Sequence, residues 1–325
     1  IGKVTVMGQL TFLEAIRTEI RVRHYSYQTE KSYLYWNRYF IRHCNIRHGA
    51  DITPALIEQF LCFLAVECEV SASTQKQALC AIVFACRHVL KIEPNELQFP
   101  YAKAPKRIPQ VLSNEEAKLI ISNLSGYHYL IGAILFGSGL RLKEALKLRV
   151  KDIDLTTKSI FVYRGKGQKD RVCMLPNGLI DVLKSQMKQV KKLHEADLSD
   201  GFGLASLPIS LIRKYRSNAS KFHWQYLFPA SRRCMHPSDN YVCRHHIHPT
   251  AFSRALRQAT TNCGIDKRVT AHTFRHSFAT SLLLKGHDIR TIQELLGHSD
   301  VKTTEIYTHV IGGHHTGVIS PLDSL

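Results

Sequence analysis

Four short segments carry side chains that could act together on a phosphate. They are "GSGLRLKEALKL" with Arg141, "YRGKGQKDR" with Lys166, "AHTFRHSFAT" with His272 and Arg275, and "LLGHSDVKTTEIYTHV" with His298 and Tyr307. A guanidinium fork pairs bidentately with phosphate oxygens, and an imidazole moves a proton near neutral pH. An amine on a mobile turn can give up a proton, and a phenol can serve as a nucleophile. None of the four is specific alone. An arginine near a helix start is commonly a surface charge, His-x-x-Arg recurs by chance in helices, and a tyrosine before "THV" is commonly a packed aromatic.

The chain must supply elements to position such groups. At 325 residues and 44% hydrophobic it can bury an ordinary core, and its length fits two moderate domains. It has 44 lysines and arginines against 26 acidic residues, a net charge of +18. That excess concentrates a polyanion and releases counterions on contact with phosphates, so nucleic acid is the natural partner; a merely solubilising surface is the plainer alternative. No run approaches the roughly 20 apolar residues of a membrane span, and no charged-then-apolar leader opens the sequence, so a soluble, cytoplasmic protein is expected. Nine cysteines scattered from Cys44 to Cys263 read as reduced thiols rather than a disulfide framework.

The expected fold class is mainly α, with a small β element (α+β). "IGKVTVMG" at residues 1–8 looks like neither a targeting peptide nor a helix start and is set apart from the fold. Residues 9–98 show helical spacing in "FLEAIRTEI", "SYLYWNRYFIRH", "LIEQFLCFLAV" and "QKQALCAIVFACRHVL", with start signals at Asp51–Pro54 and Ser73–Thr74. On the second of these helices Lys31, Arg38 and Arg42 could follow a phosphate backbone, whereas Tyr33, Tyr35, Trp36 and Tyr39 read as core. Residues 99–112, with Pro100, Pro105 and Pro109, predict a basic linker. A second domain opens at a capping box, Ser113 with Glu116, and stays helical except for "SIFVYRGKGQKDRVCML", a β-hairpin with Lys166 at its tip.

In that order, the four segments resemble the tyrosine recombinase (phage integrase) family. Its signature is an Arg, a hairpin Lys, His-x-x-Arg, then "LGH" and a Tyr shortly after. The flanking "GLRLKEALKL", "HTFRHSFATSLLLKGHDIRTIQELLGH" and "TTEIYTHV" fit as well. The resemblance covers the second domain, 113–311, and implies that the helical domain is the family's DNA-clamping, core-binding domain.

The resemblance implies a role for each residue. Arg141 and Arg275 would pair with the non-bridging oxygens of the reacting phosphate. Tyr307 would attack phosphorus, leaving a 3′-phosphotyrosine and a 5′-hydroxyl, and Lys166 would protonate the departing 5′-oxygen. His272 would take the nucleophile's proton or hydrogen-bond the phosphate, with His298 a second imidazole donor. Glu144 would orient the site, or else form a surface salt bridge to Lys143 or Lys147. His276, His287 and His309 are expected to be structural or phosphate-proximal. The covalent bond conserves the phosphodiester's energy, so no cofactor is expected.

Between a helix expected to end near Leu193 and the His-x-x-Arg helix lies extra sequence, about 194–248. Its "LHEADLSDGFGLASLPISLIRKY", "FHWQYLFP" and "RHH" specifically resemble the integron integrases. That likeness implies insertion and excision of gene cassettes, recombining a duplex attachment site with sites that fold as single-stranded hairpins bearing unpaired bases. Residues 201–257 hold nine lysines and arginines against one acid, Asp239. Flat apolar groups with cations alongside bind such bases. Trp224, Pro237, His245 and His246 are the expected base contacts, with Arg232 and Arg233 beside them. The "WQYLF" alternation also predicts a strand, which would make Trp224 and Phe228 core residues.

Zinc on Cys234, His236, Cys243, His245 and His246 is disfavoured by one-residue gaps, so no metal is expected. A homotetramer on two synapsed DNA sites is expected, with residues 312–325 as an arm reaching a neighbouring subunit. The competing readings are a recombinase confined to duplex sites, a type IB topoisomerase and a non-catalytic DNA-binding protein on the same scaffold.

Overall fold

Side-chain caps start most of the helices, and the chain divides into two units, residues 1–106 and 107–325. The computed structural model describes residues 5–6, 10–92, 109–163, 170–236 and 239–311. Lys166, Pro237, most of the linker and the 312–325 segment therefore lie outside the described residues. Among the described residues no helix is long and apolar enough to cross a membrane.

In the first unit, β1 (Thr5–Val6) pairs antiparallel with β2 (Leu10–Thr11), so part of the segment set apart on sequence does join the fold. Thr11 and Glu14 form a capping box for α1 (Phe12–Val22). Ser26 caps α2 (Tyr27–His43), and Thr53 with Pro54 at the first position starts α3 (Pro54–Val66). Ser71 caps α4 (Ala72–Ala85) by accepting the Thr74 N–H, two residues ahead of the Ser73–Thr74 start read from the sequence. Ile16, Ile20, Phe40, Phe60, Leu64 and Ile82 form the core. Buried Asn37 links α2 to α4, donating from Nδ2 to the Ala81 carbonyl at 2.9 Å. Trp36 is core, but Tyr35 is exposed, so the aromatic stripe is only partly internal; Lys31 and Arg38 are exposed on the same helix.

The second unit opens with the predicted box: the Ser113 N–H donates to the Glu116 carboxylate at 2.8 Å ahead of α5 (Asn114–Ser122). The fold begins slightly earlier than expected. Leu112 is buried and its N–H donates to Ser277 Oγ at 2.8 Å. Helix α6 (Gly126–Ser138) packs on α11 (Ala271–Leu284) at the centre, with Ile131, Ile134, Leu135 and Phe274 buried. After α7 (Leu142–Leu146) comes an antiparallel sheet of β3 (Ile153–Asp154), β4 (Ser159–Val162) and β5 (Arg171–Met174). The predicted hairpin is β4–β5, with Ile160 and Cys173 inward and Phe161 opposite Val172 on the exposed face.

The insert follows α8 (Ile180–Ser199), which runs past Leu193 because His194 and Asp197 are buried and Asp197 takes a two-pronged bond from Arg244, both at 2.6 Å. Next come α9 (Ile209–Tyr215) and a short ribbon of β6 (Cys234–Met235) and β7 (Val242–Cys243), then α10 (Pro249–Asn262). The strand predicted at "WQYLF" does not form. Phe222–Trp224 is a 3₁₀ turn, and Gln225, Tyr226, Leu227 and Phe228 are all buried rather than alternating. The backbone is held by single bridges, Arg149 to Tyr226 and Pro229 to His246. The chain closes with α12 (Ile289–Leu296) and α13 (Lys302–Ile311).

Candidate active site

Three guanidinium groups converge on the end of α12. The last carbonyls of a helix lack intrahelical partners and carry its negative dipole end. Here Leu295 O accepts from Arg171 Nε at 3.0 Å, Leu296 O from Arg275 Nη2 at 2.5 Å, and Gly297 O from Arg141 Nη2 at 3.4 Å. Arg275 also donates to Gly139 O, at the end of α6, at 2.6 Å. Both helix ends turn through left-handed glycines, Gly139 at φ 65° and Gly297 at φ 63°. A Cβ on Gly139 would overlap the Phe278 ring, so glycine there lets α11 pack close, and one on Gly297 would come within 2.9 Å of Arg171 Cδ, so glycine there leaves room for that arginine.

Glu144 gathers the cations. It accepts the Arg141 N–H at 2.9 Å and Arg141 Nη1 at 2.8 Å, and Arg171 grips both its oxygens at 3.2 and 2.7 Å. Neither Lys143 nor Lys147 is its partner; the surface salt bridge gives way to a buried one. Burial alone would raise its pKa, but the bonds and charge of Arg171 and the Arg141 donors outweigh it and hold the carboxyl at about 2. Arg171, at the foot of the hairpin, had not been singled out in the sequence.

Glu144→Gln is expected to cost about 3 kcal/mol near neutral pH, because it leaves buried guanidinium charge uncompensated. The folded carboxyl titrates below its ordinary 4.5. Its stabilisation is therefore complete above that value and is lost as pH falls toward about 2. Denaturant unfolding of both proteins across this window should show the gap closing in acid; a gap independent of pH would rule the ion pair out as its source.

Arg275 is buried, and burial together with the neighbouring Arg141 charge lowers its pKa to about 10. His272, one turn earlier on α11, is exposed. His298 follows the Gly297 cap, and its Nδ1 lies 2.9 Å from Thr304 Oγ1, with its ring stacked 6.5 Å from that of Tyr307. Tyr307 projects from α13 into a cluster with Phe278, Ala279, Ile292 and Leu296 and is 2% exposed. Burial raises its pKa, while Arg275 and Arg141 pull the other way. Tyr307 Oη lies 3.0 Å from His276 Nδ1. The sequence alone suggests only a structural or phosphate-proximal role for His276. The available signal was its position four residues after His272, on the same face of one helix.

The residues of the insert divide. Trp224 is half-buried, packed on Tyr215 and covering the cluster of Ala205, Leu207 and Ala219. Arg149 lies 5.9 Å and Lys151 Nζ 4.9 Å from its ring, and Lys151 is also 4.1 Å from the ring of Tyr163, at the end of β4. His245 packs at a tilt and His246 edge-on against the Tyr226 ring, with centroids 5.4 and 5.2 Å away. Burial lowers the His246 pKa to about 4 and keeps its ring neutral, with Nδ1 2.7 Å from Ile247 O. Arg232 is exposed, but Arg233 is tied to Asp200 at 2.9 Å and covers the Phe202 ring. Among the described residues no three histidines, cysteines or carboxylates form a metal-holding group.

A helical unit followed by a second unit with a hairpin and this arginine–histidine–tyrosine pocket defines a tyrosine recombinase, an enzyme that breaks and rejoins DNA strands. Residues 110–313 match the phage integrase family and residues 12–96 its N-terminal SAM-like domain. The chain belongs to the phage integrase family. It is 43% identical over 314 residues to an integrase/recombinase of Escherichia coli, covering 96% of this chain and 93% of the relative. It is 33% identical to the tyrosine recombinase XerA of Pyrococcus furiosus, covering 69% and 65%. Its fold is similar to that of the Tn1549 transposon integrase in complex with transposon right end DNA, with a TM-score of 0.60, 17% identity and 97% of each chain covered. It is likewise similar to XerH bound to palindromic difH substrate, with a TM-score of 0.59, 21% identity and coverage of 93% and 82%.

Proposed function

We propose that this recombinase inserts and excises gene cassettes, joining a duplex attachment site to sites presented as folded single-stranded hairpins. The observation that carries this reading is the surface around Trp224. An insert rich in lysine and arginine holds that indole half-exposed, with Lys151 between it and Tyr163. Stacking of an unpaired base on an aromatic face contributes about 1–3 kcal/mol, and a bulged base costs less to extrude than a paired one. Pro237, His245, His246 and Arg232 are the further base contacts in the proposal, while Arg233 is held by its ion pair with Asp200. Lys31 and Arg38 would follow the duplex backbone.

In the reaction, Arg141 and Arg275 hold the non-bridging oxygens and His272 and His298 donate hydrogen bonds. Tyr307 forms the 3′-phosphotyrosine, and Lys166 protonates the 5′-oxygen. Four copies act on two synapsed sites, in the cytoplasm, and no cofactor takes part. Incubating the protein with a nicked hairpin carrying extrahelical bases and with its linear duplex counterpart tests the substrate. At least about a tenfold excess of covalent adduct on the hairpin is expected, the equivalent of one stacked base. Equal adduct on both would leave a recombinase of duplex sites.

A further inference from the structure

We propose that His276 is the group that takes the proton of Tyr307 as the tyrosine attacks phosphorus, and that it returns this proton when the strand is rejoined. The inference rests on Tyr307 being the nucleophile. Its basis is geometric: Tyr307 Oη and His276 Nδ1 are 3.0 Å apart, within reach for direct proton transfer. Tyr307 is 2% exposed, so its hydroxyl meets protein rather than bulk water. His272 is exposed, and its ring centroid is 6.2 Å from that of His276. That places His272 toward an arriving phosphate and His276 toward the nucleophile.

The protonation states agree with this division. Burial, helped by the charges of His272 and Arg275, lowers the His276 pKa to about 4. Burial also keeps the phenol protonated. With both groups neutral, the phenol O–H donates to Nδ1, and the imidazole carries its own hydrogen on Nε2. Among the described residues, the charged or titratable groups around the pair are His272 and Arg275 on α11, Arg141 at the start of α7, and His298 after α12. This cationic surrounding makes the imidazole a weak base in the free protein. A phosphodiester held by Arg141 and Arg275 brings negative charge into the pocket, which raises the imidazole's basicity when the proton must move. In the step, a Tyr307 Oη lone pair forms the bond to phosphorus as its proton passes to Nδ1. The P–O5′ bonding pair leaves with the 5′-oxygen, which takes a proton from Lys166. Rejoining runs the same transfers backward.

The test measures single-turnover adduct formation on a nicked substrate between pH 5.5 and 9.5 for wild type, His276→Asn and His272→Asn. Asparagine keeps an acceptor near the Nδ1 position but cannot take the proton. Losing a general base typically lowers a rate by 10²–10⁴, so His276→Asn should be about 100-fold slower at pH 7. Its rate should then climb about tenfold per pH unit, because solvent must form the phenolate. His272→Asn should be slower without that slope. A His276→Asn profile parallel to the wild type's, or a faster variant, overturns the proposal. Absence of any adduct from the wild type would instead remove the assignment of Tyr307. As a check needing no altered histidine, ¹⁵N-histidine NMR of the wild-type chain, with Tyr307→Phe identifying the resonance, should find His276 as the Nε2–H tautomer. An Nδ1–H tautomer would overturn the assignment.

Discussion

Tyr307→Phe is expected to abolish covalent attachment to DNA while leaving the protein folded. The ring of Tyr307 packs with Phe278, Ala279, Ile292 and Leu296, and phenylalanine keeps all of that apolar contact. The change removes the hydroxyl and its bond to His276, worth about 1 kcal/mol of stability. The chemical effect is of another order, since no second nucleophile replaces the phenol and the adduct should fall by more than about 10⁴-fold. Gel separation of protein–DNA adducts, with a thermal melt of the same preparation, reads both quantities. Adduct persisting in the variant would move the nucleophile to another residue.

Arg275→Lys should lower the cleavage rate about 1,000-fold, or roughly 4 kcal/mol, with charge formally retained. The guanidinium has five donors in a fixed plane, which lets Arg275 bridge Gly139 O and Leu296 O and still offer an N–H to phosphate. An ammonium cannot span those two carbonyls in the same plane. Burial already lowers the arginine to about 10, and a lysine there would lose its charge at lower pH than the arginine does. The deficit should therefore widen as pH rises. Single-turnover cleavage from pH 6 to 9 measures it; a loss below about tenfold would show that the phosphate is held mainly by other groups.

How much was legible in the sequence follows the range of the interactions. Local ones read well. The Ser113–Glu116 box, the β4–β5 hairpin and the helical character of α1–α4 each depend on residues within a turn or across a short connection. The motif residues Arg141, His272, Arg275, His298 and Tyr307 are legible from their order and the family resemblance alone. The errors occurred where tertiary burial overrode a local pattern. "WQYLF" alternates in side-chain type, yet Gln225 to Phe228 are enclosed on both sides. Gln186 of α8 donates to Leu227 O at 2.8 Å, and the Ile247 N–H donates to Phe228 O at 3.0 Å. Helix α8 outran its expected end because Arg244, far along the chain, neutralises Asp197.

The sequence by itself determined the class of enzyme, because residue types in order are enough to match the phage integrase family. Only the tertiary structure decided which groups touch. It brought Arg171 to Glu144, aimed three guanidinium groups at the end of α12, and set His276 rather than His272 against Tyr307. Such pairings join residues far apart in the chain, and no local periodicity records them. They arise because buried charges and helix-end carbonyls must find partners wherever the packed core brings them together.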